Sequence, residues 1–329
     1  MPTQILICDD SRFACKQLAR SLPQDWDASV SFAANGEEGL AAVRAGKAEL
    51  LFLDLNMPVM DGYEVLEAIR KEDLPSMVIV VSGDVQPEAH QRVMAAGALA
   101  FIKKPVDPEL VQNILTQYGI EIESTDQRQE VEIAVEHSDA YQEIANVAMG
   151  RAGDLLARLL GAFVRLPVPK VSMLKIPDLK GLLARVDEDD AITAVCQGFI
   201  GAGIAGEAFL VFNKSSFQDI AELLKYDGKL DQQVELELLV DVSGILIAAC
   251  LNGIADQLDI GFSQGQPTIL GRDEKVGELI EKNVSHWNEI LSIEIEYAIE
   301  NKNINCDLLL LFTEDSIPAL NERVSYISI

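Results

Sequence analysis

The chain has 329 residues, 49% of them hydrophobic, and a formal net charge of −27. At roughly 100–200 residues per domain, this length predicts two or three domains, and the apolar content excludes a disordered or fibrous chain. Nucleic-acid binding requires clustered cationic side chains, and the sequence contains no basic stripe, so a nucleic-acid partner is not expected.

The sequence favours a cytoplasmic protein without membrane insertion. Its first residues do not show the basic region followed by an apolar region that is typical of a secretory signal. The longest apolar run, residues 242–251, is shorter than the ~20 residues that span a bilayer. Five cysteines are scattered without C-x-x-C spacing, which indicates buried, reduced thiols.

Residues 1–121 alternate between short apolar strands and helical patterns. The predicted strands cover residues 5–7, 30–33, 50–53, 78–81 and 100–102, and the predicted helices cover residues 12–22, 37–44, 63–72, 88–96 and 108–118. Five such units predict an α/β domain with a five-stranded, doubly wound parallel sheet. In this architecture the ligand site lies at the carboxyl ends of the strands.

Polar residues stand at the predicted strand ends: Asp9 and Asp10, Asp54, Ser82, and Lys104. Three converging carboxylates would repel one another unless a divalent cation neutralised them, and oxygen ligands suit Mg²⁺. With the metal bound, Asp54 can act as a carboxylate nucleophile toward a phosphoryl group. An Asp-Asp pair at a strand end is by itself more often a helix N-cap, a role that Ser11 or Asp10 can fill.

This segment resembles the CheY-like receiver domains of response regulators. The resemblance is carried by Cys8-Asp9-Asp10-Ser11, Leu53-Asp54-Leu55-Asn56-Met57-Pro58 with Asp61-Gly62, Val81-Ser82-Gly83 and Lys103-Lys104-Pro105. It implies phosphorylation of Asp54 by a histidine kinase and Mg²⁺ binding by Asp9, Asp10, Asp54 and the backbone carbonyl of Asn56. It also implies that Lys104 pairs with the phosphate, and that Ser82 and the aromatic Phe101 change position on phosphorylation.

Residues 122–135 are predicted to be a linker or helical extension, and residues 136–329 a second domain with an internal repeat. Four positions recur after 98 residues: Asp139, Glu143, Asn146 and Pro169 correspond to Glu237, Asp241, Gly244 and Pro267. Strand hairpins are predicted at residues 192–212 and 291–312. The pattern predicts an α+β domain with pseudo-two-fold symmetry, each half contributing a long helix, a strand after the proline, and a hairpin followed by a helix.

Asp139, Glu143 and Asn146 form one stripe on the first long helix. The stripe can be the solvated face of an amphipathic helix whose other side, with residues 144, 147, 155 and 159, packs on a core. It can also act on an aspartyl phosphate, because a side-chain amide can orient water in line with phosphorus.

The second domain is similar to the CheC, CheX and FliY family of chemotaxis phosphatases, on the spacing of Asp139, Glu143, Asn146 and Pro169 and on the duplicated layout. The resemblance implies that Glu143 pairs with the lysine of a phosphorylated receiver and that Asn146 positions water. The second copy departs from this pattern, because Asp241 is shorter than glutamate and Gly244 has no amide. One active centre is therefore expected.

The sequence thus predicts a response regulator whose second domain hydrolyses the aspartyl phosphate of its own or another receiver. The alternatives are a non-enzymatic adaptor that docks when Asp54 is phosphorylated, and a phosphate sink that drains a kinase. A homodimer is also possible on this evidence, and the sequence does not identify the cognate kinase or the target.

Overall fold

The computed structural model describes residues 2–120, 135–175, 177–178, 192–213, 216–228, 231–270, 289–302 and 304–327. The chain divides into two compact units, of which the first contains Met1–Glu143 and the second begins at Ile144. The predicted linker at residues 122–135 lies almost wholly outside the described residues. The predicted domain boundaries therefore stay a prediction, and the division into units falls within a helix.

The first unit has the predicted five-stranded parallel sheet, with strand order β2-β1-β3-β4-β5. Its strands are β1 (Thr3–Cys8), β2 (Ala28–Ala33), β3 (Leu50–Leu53), β4 (Met77–Ser82) and β5 (Ala100–Lys103), and its helices are α1 (Arg12–Ser21), α2 (Gly36–Arg44), α3 (Gly62–Lys71), α4 (Pro87–Ala96) and α5 (Pro108–Gln117). Each predicted strand and helix is confirmed within two residues of its ends.

Local signals explain where these helices begin. Ser11 caps α1, with its Oγ accepting the Ala14 N–H at 3.1 Å, and Asp61 and Glu64 form a reciprocal capping box on α3. The strands β1 and β3 are apolar on both faces because each face is covered by helices, with one buried cluster around Leu51 and another around Phe52. The sheet's core therefore leaves the polar residues at the carboxyl ends of the strands.

The second unit is an α+β domain whose two halves exchange strands. Its strands are β6 (Val164–Arg165), β7 (Lys170–Lys175), β8 (Ile192–Gly201), β9 (Ile204–Asn213), β10 (Ser263–Gln264), β11 (Thr268–Leu270), β12 (Glu289–Ile299) and β13 (Asn305–Phe312). The hairpins β8-β9 and β12-β13 join through β9 and β13. The short strands β6 and β7 of the first half pair with β12 of the second, and β10 and β11 pair with β8. The predicted pseudo-two-fold repeat is confirmed.

The helices of this part of the chain repeat as well. They are α6 (His137–Leu160), α7 (Ser216–Leu223), α8 (Gln232–Leu258) and α9 (Ile317–Ile327). The helices α6 and α8 are equivalent long helices in the two halves and approach closely, since a Cβ built on Gly253 would lie 2.9 Å from the Cα of Ala148. Gln257 donates a hydrogen bond to the Ile144 carbonyl, and Arg151 pairs with Asp256 at 2.7 Å. These contacts fix the two helices against each other.

Part of the predicted apolar face of α6 is not buried. Leu155 and Leu159 were predicted to pack on the core, but they are 46% and 37% exposed, whereas Ile144 and Val147 are buried. Over the last two turns of α6 the buried face is formed instead by Leu156 and Leu160, which are 1% and 4% exposed. Among the described residues, α8 alone is long and apolar enough to cross a membrane, and 61% of its apolar window is buried, as in the core helix of a folded domain.

Candidate functional site

The carboxyl edge of the parallel sheet gathers the predicted acidic residues. Asp9 and Asp10 follow β1, and Asp54 follows β3, which lies beside β1 in the sheet. One carboxylate oxygen from each of the three residues lies within 4.8 Å of the others. Asp9 and Asp54 are buried, so the convergence predicted from the strand ends is confirmed.

Lys104 is the cation of this cluster. Its Nζ lies 2.7 Å from Asp9 Oδ2, 3.2 Å from Asp54 Oδ1 and 3.4 Å from Glu143 Oε1. Burial alone would lower the pKa of the Lys104 ammonium, but the negative charges of Asp54, Asp9 and Glu143 outweigh that effect and raise the pKa well above its usual range. Lys104 therefore stays charged among these carboxylates.

Burial disfavours the charged forms of the carboxylates around Lys104. Burial raises the pKa of Asp9 and of Glu143, and the charge of Lys104 opposes the rise in both. Burial, with the charge of Asp54, raises the pKa of Asp10 to about 7. Burial thus favours the neutral forms of Asp9, Asp10 and Glu143, and a further cation at this site would favour their charged forms.

The three aspartates fit a hard divalent cation. Among the described residues, the buried Oδ1 of Asp54 has no hydrogen-bond partner, because its 3.2 Å approach to Lys104 lacks hydrogen-bond geometry. An orphaned carboxylate oxygen beside two further carboxylates is suited to Mg²⁺, which prefers oxygen ligands. A bound Mg²⁺ would neutralise charge that Lys104 leaves unbalanced.

The loop after β3 holds Asp54 in place. Its other oxygen, Oδ2, accepts the backbone N–H of Asn56 at 2.9 Å. Gly62 begins α3 directly against this loop, and a Cβ added there would lie 2.2 Å from the Asp54 carbonyl oxygen. Only glycine fits this close approach of helix to strand end, which explains the Asp61-Gly62 step of the sequence motif.

The predicted switch residues lie on the neighbouring strands. Ser82 ends β4, is fully buried, and its Oγ accepts the Asp84 N–H at 3.1 Å. Phe101 lies on β5, is partly buried and packs edge to face against His90, with ring centroids 5.4 Å apart. His90 is itself an exposed residue. Whether Ser82 and Phe101 move on phosphorylation stays a prediction.

The first turns of α6 belong to the same compact unit as the aspartates and bring Glu143 to Lys104. Glu143 is only 3% exposed, and both of its oxygens lie 3.4 Å from Nζ. The preceding residue, Gln142, donates to Asp10 Oδ2 at 3.4 Å. Two consecutive residues at the start of α6, Gln142 and Glu143, therefore contact the acidic cluster within the first unit.

The interpretation of this helix stripe as a solvated face is wrong for Glu143 and Asn146, which are buried. Asn146, one turn beyond Glu143 on the same face, is 5% exposed, whereas Asp139 at the helix start is partly exposed. Burial of an acid and an amide is costly unless they have partners, so it signals a specific arrangement.

The second copy of the stripe has a different environment. Asp241 is exposed, and no described atom beyond the neighbouring residues and local backbone of α8 lies within 4 Å of the position that a Cβ on Gly244 would take. The expectation of one active centre stays a prediction. Sequence reasoning did not identify the contact of Gln142 with Asp10, for which the available signal is that Gln142 directly precedes the motif residue Glu143.

The chain belongs to the response-regulator family, on the evidence of its receiver domain. Residues 5–116 match the family described as the response regulator receiver domain. Among similar curated proteins, the chemotaxis protein CheY of Treponema pallidum is 30% identical over 112 residues, which are 33% of this chain and 78% of that protein. A response regulator receiver protein of an Anaeromyxobacter species is 35% identical over 101 residues, covering 31% of this chain and 42% of that protein. This chain thus spans less than half of the length of the Anaeromyxobacter protein.

Solved structures align with part of the chain. FliY of Thermotoga maritima aligns with 60% of this chain and 100% of its own, with a TM-score of 0.46 and 20% sequence identity. A CheY-like receiver domain of Methanospirillum hungatei aligns over 36% of this chain and 94% of its own, with a TM-score of 0.33 and 30% identity. The family match confirms the receiver, and the strand pairing described above confirms the duplicated α+β layout of the second unit.

Proposed function

We propose that this response regulator is phosphorylated on Asp54 and that its second domain speeds hydrolysis of a receiver's aspartyl phosphate. The observation that carries the proposal is the buried contact of Glu143 with Lys104, at the edge of the sheet where the phosphoryl group would be attached. It joins the residues of the two sequence motifs that were recognised independently.

The first half of the proposed cycle is phosphoryl transfer from a histidine kinase or a small phosphodonor. A carboxylate oxygen of Asp54 attacks the phosphorus, an acyl phosphate bond forms, and the bond from phosphorus to the donor atom breaks. Asp9 and Asp10 would hold Mg²⁺ together with Asp54 and the Asn56 carbonyl, and the ion would stabilise charge on the transferring group. Lys104 would then pair with the phosphoryl oxygens.

The second half is hydrolysis. A water oxygen attacks phosphorus in line with the Asp54 oxygen, the acyl phosphate P–O bond breaks, and inorganic phosphate leaves while Asp54 returns to a carboxylate. Glu143 would hold the helix at Lys104, and the amide of Asn146 would orient the water. Removal of one preorganised polar group typically costs on the order of 10²–10³ in rate, which sets the expected contribution of Asn146.

The test compares release of phosphate from the phosphorylated chain and from separate phosphorylated receivers. Asn146→Ala should slow release by about 10²–10³-fold, and Gly244→Ala, at the equivalent position of the second helix, is the matched control that should leave it unchanged. Asp54→Asn should abolish phosphate uptake in the presence of Mg²⁺. Equal release by wild type and Asn146→Ala on every receiver would refute a phosphatase role.

A non-enzymatic adaptor is the second candidate, and the altered copy at Asp241 and Gly244 favours it, because that helix lacks the amide. An adaptor would bind its partner only when Asp54 is phosphorylated, and Asn146→Ala would not affect this binding. A phosphate sink would also depend on Asp54, but its turnover would respond to Asn146. The kinase partner, a homodimer and a chemotactic role stay predictions of the same kind.

A further inference from the structure

Lys104, the residue to which a phosphatase helix would dock, already contacts helix α6 of the same chain. Lys104 Nζ lies 3.4 Å from Glu143 Oε1, and both side chains are almost completely buried. Gln142 Nε2 reaches Asp10 Oδ2 at 3.4 Å, so a second residue of α6 contacts the acidic cluster.

We infer that the substrate of this phosphatase centre is the aspartyl phosphate on Asp54 of the same chain, so that the protein limits the lifetime of its own phosphorylated state. The inference rests on the proposed function and adds the identity of its substrate. A separate receiver would offer its own lysine to Glu143, but Glu143 would first have to leave a buried contact with Lys104. Leaving would uncover two charged groups that are desolvated together.

Covalent connection gives the intramolecular reaction a further advantage. A site joined to its substrate by a short linker experiences an effective concentration in the millimolar range, and linked binding can exceed separate binding by 10²–10⁴-fold. A free receiver at micromolar concentration therefore competes poorly. The position of Asn146, three residues after Glu143 on the same helix face, means that the amide travels with the docking residue.

The two copies of the polar stripe are consistent with this assignment. Glu143 and Asn146 are buried, whereas Asp241 is exposed and Gly244 carries no side chain. A protein with one receiver of its own needs one centre to act on it. The exposed second copy offers neither a glutamate to pair with a lysine nor an amide to orient water.

Mixing two full-length variants tests the inference. The Asn146→Ala chain accepts phosphate on Asp54 but lacks the amide, and the Asp54→Asn chain keeps Glu143 and Asn146 but accepts no phosphate. Wild type and the Asn146→Ala chain are each labelled with radiolabelled acetyl phosphate and Mg²⁺, the donor is removed, and loss of label is followed. Wild type should lose its label about 10²–10³-fold faster than Asn146→Ala, with a rate constant that does not change over a 100-fold dilution.

Addition of a tenfold excess of Asp54→Asn chain should accelerate loss from Asn146→Ala by less than twofold. Acceleration to the wild-type rate would overturn the intramolecular assignment while leaving the proposed phosphatase function standing, as a reaction between chains. The same conclusion would follow if wild type and Asn146→Ala kept their labels equally long but the Asp54→Asn chain dephosphorylated a separate CheY-like receiver. Equal lifetimes without activity on any separate receiver would refute both the assignment and the proposed function.

Discussion

The charge balance of the receiver site can be tested by replacing Lys104 with methionine. The ammonium lies 2.7, 3.2 and 3.4 Å from oxygens of Asp9, Asp54 and Glu143. At an effective dielectric constant near 20, each contact represents a gross attraction of roughly 5–6 kcal/mol, most of which offsets the desolvation of the charges. Since removal of one partner leaves the others buried and uncompensated, Lys104→Met should lower the free energy of unfolding by about 3–5 kcal/mol.

Glu143→Gln is the matched variant and should behave differently. Lys104 would keep its contacts with Asp9 and Asp54, so no cation is left unpaired. The loss of attraction to Lys104 is offset because Asp54, whose charge raises the pKa of Glu143, loses a neighbour of like charge. The unfolding free energy should therefore stay within about 1 kcal/mol of wild type.

Urea unfolding at pH 8 in EDTA, followed by the fluorescence of Trp26, measures both values. Trp26 is buried in the receiver, and a Trp287→Phe background leaves it as the only tryptophan. The folded-state pKa of Asp10 is raised from 3.8 to about 7, so stability is lost as pH rises through about 7. Lowering the pH from 8 to 6, or adding Mg²⁺, should therefore restore part of the stability of Lys104→Met. Equal losses for the two variants, or a loss below 1 kcal/mol for Lys104→Met, would refute the reasoning.

Three further predictions concern glycines and thiols. Gly62→Ala should destabilise the receiver by about 1–3 kcal/mol and slow phosphate uptake, because its Cβ would lie 2.2 Å from the Asp54 carbonyl oxygen. Urea unfolding measures the first effect and acetyl phosphate labelling the second. Unchanged stability and uptake would contradict the close approach. Gly244→Ala should stabilise the second unit by about 0.8–1.0 kcal/mol, since the site is helical and open; an unchanged or lower unfolding midpoint would count against it. All five cysteines are buried, and burial raises the pKa of the Cys8 and Cys250 thiols to about 12. An aromatic disulfide reagent should therefore react with no thiol of the native protein and with five thiols in guanidinium. Rapid labelling of the native protein would contradict the burial of the thiols.

The receiver could be predicted closely because its pattern has few competing explanations. Strands covered by helices on both faces, such as Leu50–Leu53, read as short continuous apolar runs. Each run ends abruptly at a polar residue, and the parallel topology brings those ends to one edge. Asp9, Asp54 and Lys104 therefore converge as expected, and Gly62 is explained by a backbone approach that leaves no room for a side chain.

The environment of α6 could not be predicted in the same way. Helical periodicity assigns residues to faces, but it does not say what covers a face or where along the helix the cover ends. The helical pattern allowed Glu143 and Asn146 to face solvent, but they are buried. It placed Leu155 and Leu159 in the core, but they are exposed. Recognition of a chemical motif gave the better prediction of burial at Glu143, because the proposed reaction requires contact with a lysine.

Strand exchange between the repeats gives the second half a structural role although its polar stripe has no amide. Strands β6 and β7 of the first half complete the sheet beside β12, and β10 and β11 of the second half do the same beside β8. Either half alone would leave a hairpin edge unpaired and an apolar face uncovered. The strands and core of the second half therefore serve the fold, whereas the exposed side of α8 at Asp241 and Gly244 does not. The absence of an amide at Gly244 costs the fold no more than about 1 kcal/mol, the usual penalty for a glycine within a helix.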